Sequence, residues 1–166
     1  MESPEGLLAR LAAAGIDTRT VQHQAVFTVA ESEAVRAEMP GAHSKNLFLA
    51  PAKGEGPFCL AVLECDRRVS VNALARAAGW GKVSMAPAEA LVATLGVAPG
   101  SVTPFGLVNA PPGSVRVVLD AELAEAPELA WFHPLVNTAS TGIRPDDLLR
   151  FLRGLGHEVA VLGLDA

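Results

Sequence analysis

Two strand-like runs, residues 45–50 and 58–64, are joined by a short connection that contains Lys53-Gly54-Glu55-Gly56-Pro57. A link that short permits an antiparallel pair and forbids a parallel one, which needs a crossover of a dozen or more residues. The chain therefore carries a hairpin, and a sheet built on it is not all-parallel. Elsewhere the hydrophobic period switches between helical and extended without a steady strand–helix–strand rhythm. Ser3-Pro4-Glu5 opens a helix with Leu7, Leu8 and Leu11 as its stripe, ending at Gly15. Residues 18–22 alternate as a short strand. Thr28-Val29-Ala30-Glu31 is a capping-box pattern that starts a helix, which stops before Pro40-Gly41. Ser70 caps a further helix that ends at Gly79, and residues 87–95 form another, stopped by Gly96. Residues 115–119, 130–133, 138–143 and 158–162 read as extended. Pro145 opens a last amphipathic helix with Asp146 and Asp147 in its first turn, where the helix dipole favours negative charge. The expected fold is α+β: a mixed, largely antiparallel sheet flanked by helices, as one domain over residues 1–166.

Half of the 166 residues are hydrophobic and 19% are charged, which supports a sizeable core and excludes a disordered chain. No apolar run reaches the ~18 residues of a spanning helix. Met1-Glu2-Ser3-Pro4-Glu5 has the wrong chemistry for a secretory signal, so the expected compartment is the cytosol and no membrane partner is expected. Cys59 and Cys65 fall near opposite ends of one strand, about 20 Å apart, beyond disulfide reach; buried reduced thiols are expected. The net charge of −5 argues against a non-specific nucleic-acid binder. Residues 45–82, however, hold six basic against three acidic side chains. That local excess reads either as a place for a phosphate-bearing ligand or as a solvated mixed face. There is no phosphate-binding loop, no nucleophile elbow, and neither CxxC nor HExxH; His23, His43, His133 and His157 lack metal spacing.

Three segments stand out. In His43-Ser44-Lys45-Asn46-Leu47-Phe48-Leu49, alternation sends Lys45 to the face of Leu47 and Leu49, and Asn46 to that of Phe48. Lys45 is then either a strand-start lysine that snorkels to water or a cation at the rim of a pocket. In Val97-Ala98-Pro99-Gly100-Ser101-Val102-Thr103-Pro104-Phe105-Gly106-Leu107, the prolines and glycines exclude an ordinary helix or central strand. Such a loop is a tight surface turn or a rigid presenter of main-chain groups to a reacting carbonyl, hydroxyl or water. In Trp131-Phe132-His133-Pro134-Leu135-Val136-Asn137-Thr138-Ala139-Ser140-Thr141, His133 is either structural or ligand-facing. The cluster Asn137, Thr138, Ser140 and Thr141 offers neutral donors and acceptors suited to hydroxyls or an amino group.

Together, Ser44-Lys45-Asn46-Leu47-Phe48-Leu49, the GxxxP loop of Gly100-Ser101-Val102-Thr103-Pro104 with its continuation Phe105-Gly106-Leu107, and Phe132-His133-Pro134-Leu135-Val136-Asn137-Thr138 resemble the YbaK/ProX superfamily of aminoacyl-tRNA deacylases. That superfamily is similar to the editing domain of bacterial prolyl-tRNA synthetase, and the resemblance runs over about residues 5–162. It implies a curved mixed sheet flanked by helices and hydrolysis of the ester between a wrong amino acid and the tRNA 3′ adenosine, with no metal or organic cofactor. Asn46 and the continuation from Val102 to Leu107 lean towards the ProX type, which clears alanine from tRNA(Pro). The alternatives are a Cys-tRNA(Pro) deacylase and a silent module that binds tRNA or a synthetase. The implied partners are the acceptor end of aminoacylated tRNA(Pro) and prolyl-tRNA synthetase. Gly100, Ser101, Val102, Thr103 and Pro104 would present backbone groups to the ester, the ribose hydroxyl and a water. Lys45 would hold the terminal phosphate or the substrate's polar end, and His133 the terminal nucleotide or the amino acid. Asn46, Asn137 and Thr138 complete the expected binding set. Phe27 and Val29, just before the second helix, would wall a small pocket that excludes proline by size. Lys45, Lys53, Arg67, Arg68 and Lys82 would steer the acceptor stem.

Overall fold

The computed structural model describes residues 1–25, 29–53 and 56–164, with the side chains of residues 29–32 left aside. Its elements run α1 (Pro4–Ala13), β1 (Thr18–Gln22), α2 (Val29–Arg36), β2 (Ala42–Pro51), β3 (Phe58–Glu64), α3 (Val71–Ala78), β4 (Val83–Met85), α4 (Ala88–Leu95), a 3₁₀ turn (Pro104–Asn109), β5 (Val115–Asp120), α5 (Ala121–Ala124), β6 (Ala130–Phe132), β7 (Ala139–Ile143), α6 (Pro145–Gly154) and β8 (Val159–Leu162). The helix ends obey local chemistry. Ser3 Oγ accepts from the N–H of Gly6 at 3.0 Å, and Ser70 Oγ from that of Ala73 at 3.0 Å. Gly79 and Gly96 close α3 and α4 in the left-handed conformation. α6 has Pro145 at its start, Asp146 and Asp147 in its first turn, Arg153 in its last, and buries Leu148, Phe151 and Leu152.

The strands form one mixed sheet in the order β1-β7-β6-β2-β3-β5-β8, with β4 also on β2. The β1–β7, β2–β3, β2–β4 and β6–β7 pairs are antiparallel; β2–β6, β3–β5 and β5–β8 are parallel. The hairpin of β2 and β3 is its centre, and β3 is buried from Cys59 to Leu63, as expected of a strand covered on both faces. Alternation along this pair separates two cores. Phe48, Leu60 and Val62 join the cluster under α1, α4, the 3₁₀ turn and α6. Leu49, Cys59, Ala61 and Leu63 join the cluster under α3, with Trp80 and Leu164. Leaving either core would expose several side chains worth about 1.5–3 kcal/mol each.

Both cysteines are free, Cys59 buried and Cys65 half-buried. Among the described residues, no helix is long and apolar enough to cross a membrane. The structure departs from the sequence reading in small elements. β2 starts at Ala42, three residues upstream of the expected start, because Ala42 and His43 pair with Ala130 and Trp131 of β6. β4 and α5, three and four residues long, had no period to show.

Candidate active site

The site follows from the pairing of β2. One edge of β2 is filled by β3 from Ser44 to Leu49. The other edge meets β6 only at Ala42 and His43, and β4 only from Leu49 to Pro51. Residues 44–47 are therefore left without a strand on that side among the described residues, and Phe48 is met only where its carbonyl accepts from the N–H of Ala86, at 3.0 Å. A notch in a sheet presents main-chain groups as well as side chains. It opens into a cavity of about 510 Å³. Ser44, Lys45, Asn46 and Phe48 form one wall, Met85, Ala86, Ala88 and Leu91 another, and Pro99, Gly100, Val102 and His133 close it.

The polar atoms of this cavity are unevenly satisfied. Ser44 Oγ donates to the carbonyl of Trp131 at 2.8 Å, and Asn46 Nδ2 donates to Ser44 Oγ at 3.4 Å. Asn46 Oδ1 is buried with no partner. A buried acceptor left unpaired costs about 1–3 kcal/mol unless something donates to it. His133 Nδ1 lies 3.0 Å from the carbonyl of Ala139, so that nitrogen carries the proton and Nε2 is an acceptor. Burial lowers the pKa of His133; the Ala139 bond opposes this and neighbouring His23 adds to it. The ring is thus a neutral acceptor near pH 7. His23, its ring 6.4 Å away, contacts Ser140 Oγ through Nε2 and the carbonyl of Gln24 through Nδ1, each at 2.8 Å.

The loop opposite is held stiffly. Gly100 has φ +89°, a conformation glycine adopts without strain and other residues rarely do. A Cβ there would stand 3.6 Å from Asn137 Nδ2, so Gly100 and Asn137 are neighbours. The N–H of Ser101 closes a turn on the carbonyl of Ala98 at 3.0 Å. Among the described residues, no backbone carbonyl accepts from the N–H of Gly100, Val102 or Thr103. Thr103 is fully buried and its Oγ1 caps the 3₁₀ turn by accepting from the N–H of Phe105 at 3.3 Å. Gly106 lets that turn press onto α4, since a Cβ would come within 2.8 Å of Leu95 Cβ. The segment after His133 is held in tension too: Leu135 has φ +72°, a cost of about 1–2 kcal/mol for a residue with a Cβ.

The structure brings Lys45, Asn46, Gly100, Val102 and His133 to one cavity and leaves Ser101, Thr103, Pro104, Asn137 and Thr138 outside its lining. Ser101, Thr103 and Pro104 are buried behind the loop and do not line the cavity. Thr138 uses its carbonyl to accept from the N–H of His23 and is also outside the lining. Phe27 lies outside the described residues. Val29 starts α2 rather than preceding it, and its side chain lies outside them as well. Lys45 contributes to the wall, while its ammonium donates to the backbone carbonyl of Arg67. Arg67 is no free cation: its guanidinium holds both oxygens of the fully buried Asp120 at 3.0 Å, Glu122 at 2.9 Å, and the carbonyl of Leu164. Ser44, Phe48, Met85, Ala86, Ala88, Leu91 and Pro99 were not anticipated in the lining. Alternation from Asn46 points to Ser44 and Phe48; nothing in the pattern points to β4.

Among the described residues, no activated hydroxyl or thiol lines the cavity. Neither cysteine does, and burial, a bond to Glu64 and nearby charge push the Cys65 thiol up to about 11. Ser44 gives its hydroxyl proton to a carbonyl rather than to a base. This chemistry suits orientation of an already activated ester and a water better than a covalent intermediate.

Those features define a cleft on a mixed sheet lined by apolar side chains and a few polar groups, and comparison with known proteins gives the family of the chain. Residues 23–151 match the aminoacyl-tRNA editing domain. The chain is 39% identical over 159 residues to prolyl-tRNA synthetase associated domain-containing protein 1 of Bos taurus, covering 94% of this chain and 92% of that one. It is 29% identical over 164 residues to the prolyl-tRNA editing protein ProX of Acetoanaerobium sticklandii, covering 99% of each. A solved structure described as a candidate trans-editing enzyme for prolyl-tRNA synthetase shares the fold, with TM-score 0.72, 24% identity and 99% coverage of each chain. The chain belongs to the aminoacyl-tRNA editing domain family, in its YbaK/ProX branch. Its enzymatic class is aminoacyl-tRNA deacylase.

Proposed function

We propose that this chain, as a single editing domain over residues 1–166, acts in trans on mischarged tRNA(Pro) and releases alanine. The observation that carries the reading is the cavity itself. A rigid Gly100–Val102 loop, Asn46 with its orphaned Oδ1, and neutral His133 with Nε2 as an acceptor line one cavity with the apolar side chains of Phe48, Met85, Ala86 and Leu91. The names of the relatives support prolyl-tRNA as the adapter.

In this reading the terminal adenosine and its amino acid enter the notch of β2. The backbone N–H groups of Gly100 and Val102 face the ester carbonyl and stabilise the negative charge that develops on its oxygen. Asn46 Oδ1 accepts from the amino acid's ammonium or from a ribose hydroxyl. His133 Nε2 accepts from the other donor. Lys45 exchanges the Arg67 carbonyl for the terminal phosphate. Water adds its oxygen to the ester carbon, the bond to the ribose oxygen breaks, and that oxygen leaves as a hydroxyl with one of the water's protons while the other is released to solvent. Alanine departs with a free carboxylate. Phe48, Leu91 and Val102 set the bulk that is tolerated, and a pocket shaped for a small side chain rejects proline by clash rather than by weaker attraction.

Hydrolysis of Ala-, Cys- and Pro-charged tRNA(Pro) by the purified protein tests the reading. Loss of alanine with proline retained supports it. Preference for cysteine would replace it with the second specificity, and hydrolysis of none would leave a binding module.

A further inference from the structure

Five basic residues of the sheet and its loops fall into two groups. Lys45 and Arg67 are engaged by protein acceptors. Lys53, Lys82 and Arg116 are exposed, and none of them joins an ion pair among the described residues. These three come from distant parts of the sequence to line one groove of about 480 Å³. Pro51, Pro57, Trp80 and Val83 shape its apolar floor. Arg116 faces Cys59 across the β3–β5 pair, which fixes its position in the groove. No carboxylate among the described residues lines it. On a chain of net charge −5, that is a local inversion of sign.

We propose that this groove binds the phosphate backbone of the RNA whose aminoacylated end enters the cavity. The proposal rests on the deacylase reading above and adds the second contact surface. Charge complementarity selects a polyanion. Trp80 is only 9% exposed, so no aromatic face is offered for stacking a base, and the groove reads backbone rather than sequence. Position supports the same occupant. Val83 lines the groove and Met85 lines the catalytic cavity, at the two ends of β4. Lys82 to Met85 spans about 10 Å of extended chain. The unpaired nucleotides preceding the terminal adenosine cover that interval, so one RNA strand can occupy both places by passing over the edge of β4.

The test is a triple variant, Lys53→Gln with Lys82→Gln and Arg116→Gln, all at exposed positions, checked for an unchanged melting profile. Binding of uncharged tRNA is measured from low to high salt, and hydrolysis is measured on alanyl-tRNA and on an alanyl ester of adenosine alone. The expected result is tRNA affinity lower on the order of 10²-fold at 0.15 M salt, and a log–log salt slope shallower by about 2. KM for alanyl-tRNA should rise with kcat retained, and the adenosine ester should be hydrolysed as by the parent protein. An unchanged tRNA affinity and slope overturns the groove assignment. Retained tRNA binding with loss of binding to prolyl-tRNA synthetase overturns it in favour of a protein partner. If the parent protein hydrolyses neither ester, the deacylase reading fails, and the salt slope still decides whether the groove holds RNA.

Discussion

Two polar regions of this protein, one fully buried at Asp120 and one half-buried at Asn46 and His133, are treated in opposite ways. At the Arg67–Asp120 clamp every acceptor is filled. Asp120 takes two bonds from the Arg67 guanidinium, one from the N–H of Glu64 at 3.0 Å and one from that of Glu122 at 3.1 Å. At the proposed site Asn46 Oδ1 has no partner, His133 keeps a lone pair unused among the described residues, and Gly100 sits at positive φ. The clamp joins the ends of β3 and β5 to the C-terminal segment. The cavity holds polar atoms ready for a ligand and accepts the cost of leaving them open. If the cavity is the proposed site, stability and catalysis are separated in space, and substitutions in the two regions should move different observables.

The largest expected effect is at the clamp. Asp120→Asn leaves the Arg67 charge without its buried counter-ion, with only the exposed Glu122 still beside it, and should lower unfolding free energy by about 3 kcal/mol in urea titration. The same carboxyl gives the clamp a pH signature. Burial alone would raise its pKa, but the Arg67 bonds, the two backbone N–H groups and the Arg67 charge outweigh it and hold it below the usual value. The clamp's contribution is therefore complete above the unfolded-state value of about 3.9 and is lost as pH falls through the lower folded value. The urea midpoint of the parent protein should drop over that acid range more than that of Asp120→Asn.

In the cavity the order reverses, with turnover more affected than stability. Gly100→Ala forces a Cβ onto a φ of +89° and shifts the loop that faces the ester. It should reduce single-turnover deacylation by about 10²-fold while costing about 1–2 kcal/mol of stability. Asn46→Ala removes an acceptor that the folded protein does not use. Stability should stay within about 1 kcal/mol or rise, while turnover falls by about tenfold or more. Equal losses of stability at Asn46 and Asp120 would erase the distinction between the two regions.

The smallest effect is on pH dependence. Burial holds the His133 pKa below the ordinary histidine value, so its neutral form persists as pH falls past about 6.5. The folded state binds this proton less readily than the unfolded chain. Stability from His133 is complete above about 6.5 and declines towards the lower folded value. The acid limb of the rate profile should lie below 6.5, and His133→Gln should remove the part of that limb due to this ring.

Much of the fold was legible in the sequence. The hairpin of β2 and β3, the Ser3 and Ser70 caps, the glycine stops and the final amphipathic helix each follow from residues close in the chain. β4 was not legible, because three residues after Gly79-Trp80-Gly81 show no period, and its pairing with β2 is a long-range choice. That one omission hid part of one wall of the cavity, since Met85 lies on β4 and Ala86 just beyond it. The GxxxP segment was recognisable as a rigid loop. Its outward groups were not separable from Ser101, Thr103 and Pro104, because which way a non-repetitive loop turns is set by what it packs against. The basic set was readable only as charge. The buried Asp120 that occupies Arg67 is 53 positions away, and Arg116 joins Lys53 and Lys82 only through the parallel pairing of β3 with β5.

The central claim is that the notch of β2 and the Gly100 loop together receive an aminoacylated nucleoside. A titration of the ¹⁵N-labelled protein with a non-hydrolysable alanyl-adenosine amide tests it at single-residue level. Binding in the cavity predicts saturable shifts at the backbone amides of Gly100 and Val102 and at the Asn46 side-chain amide, with the Arg67 guanidinium signal unmoved. Saturable shifts confined to other surfaces, with those three signals still, would contradict it.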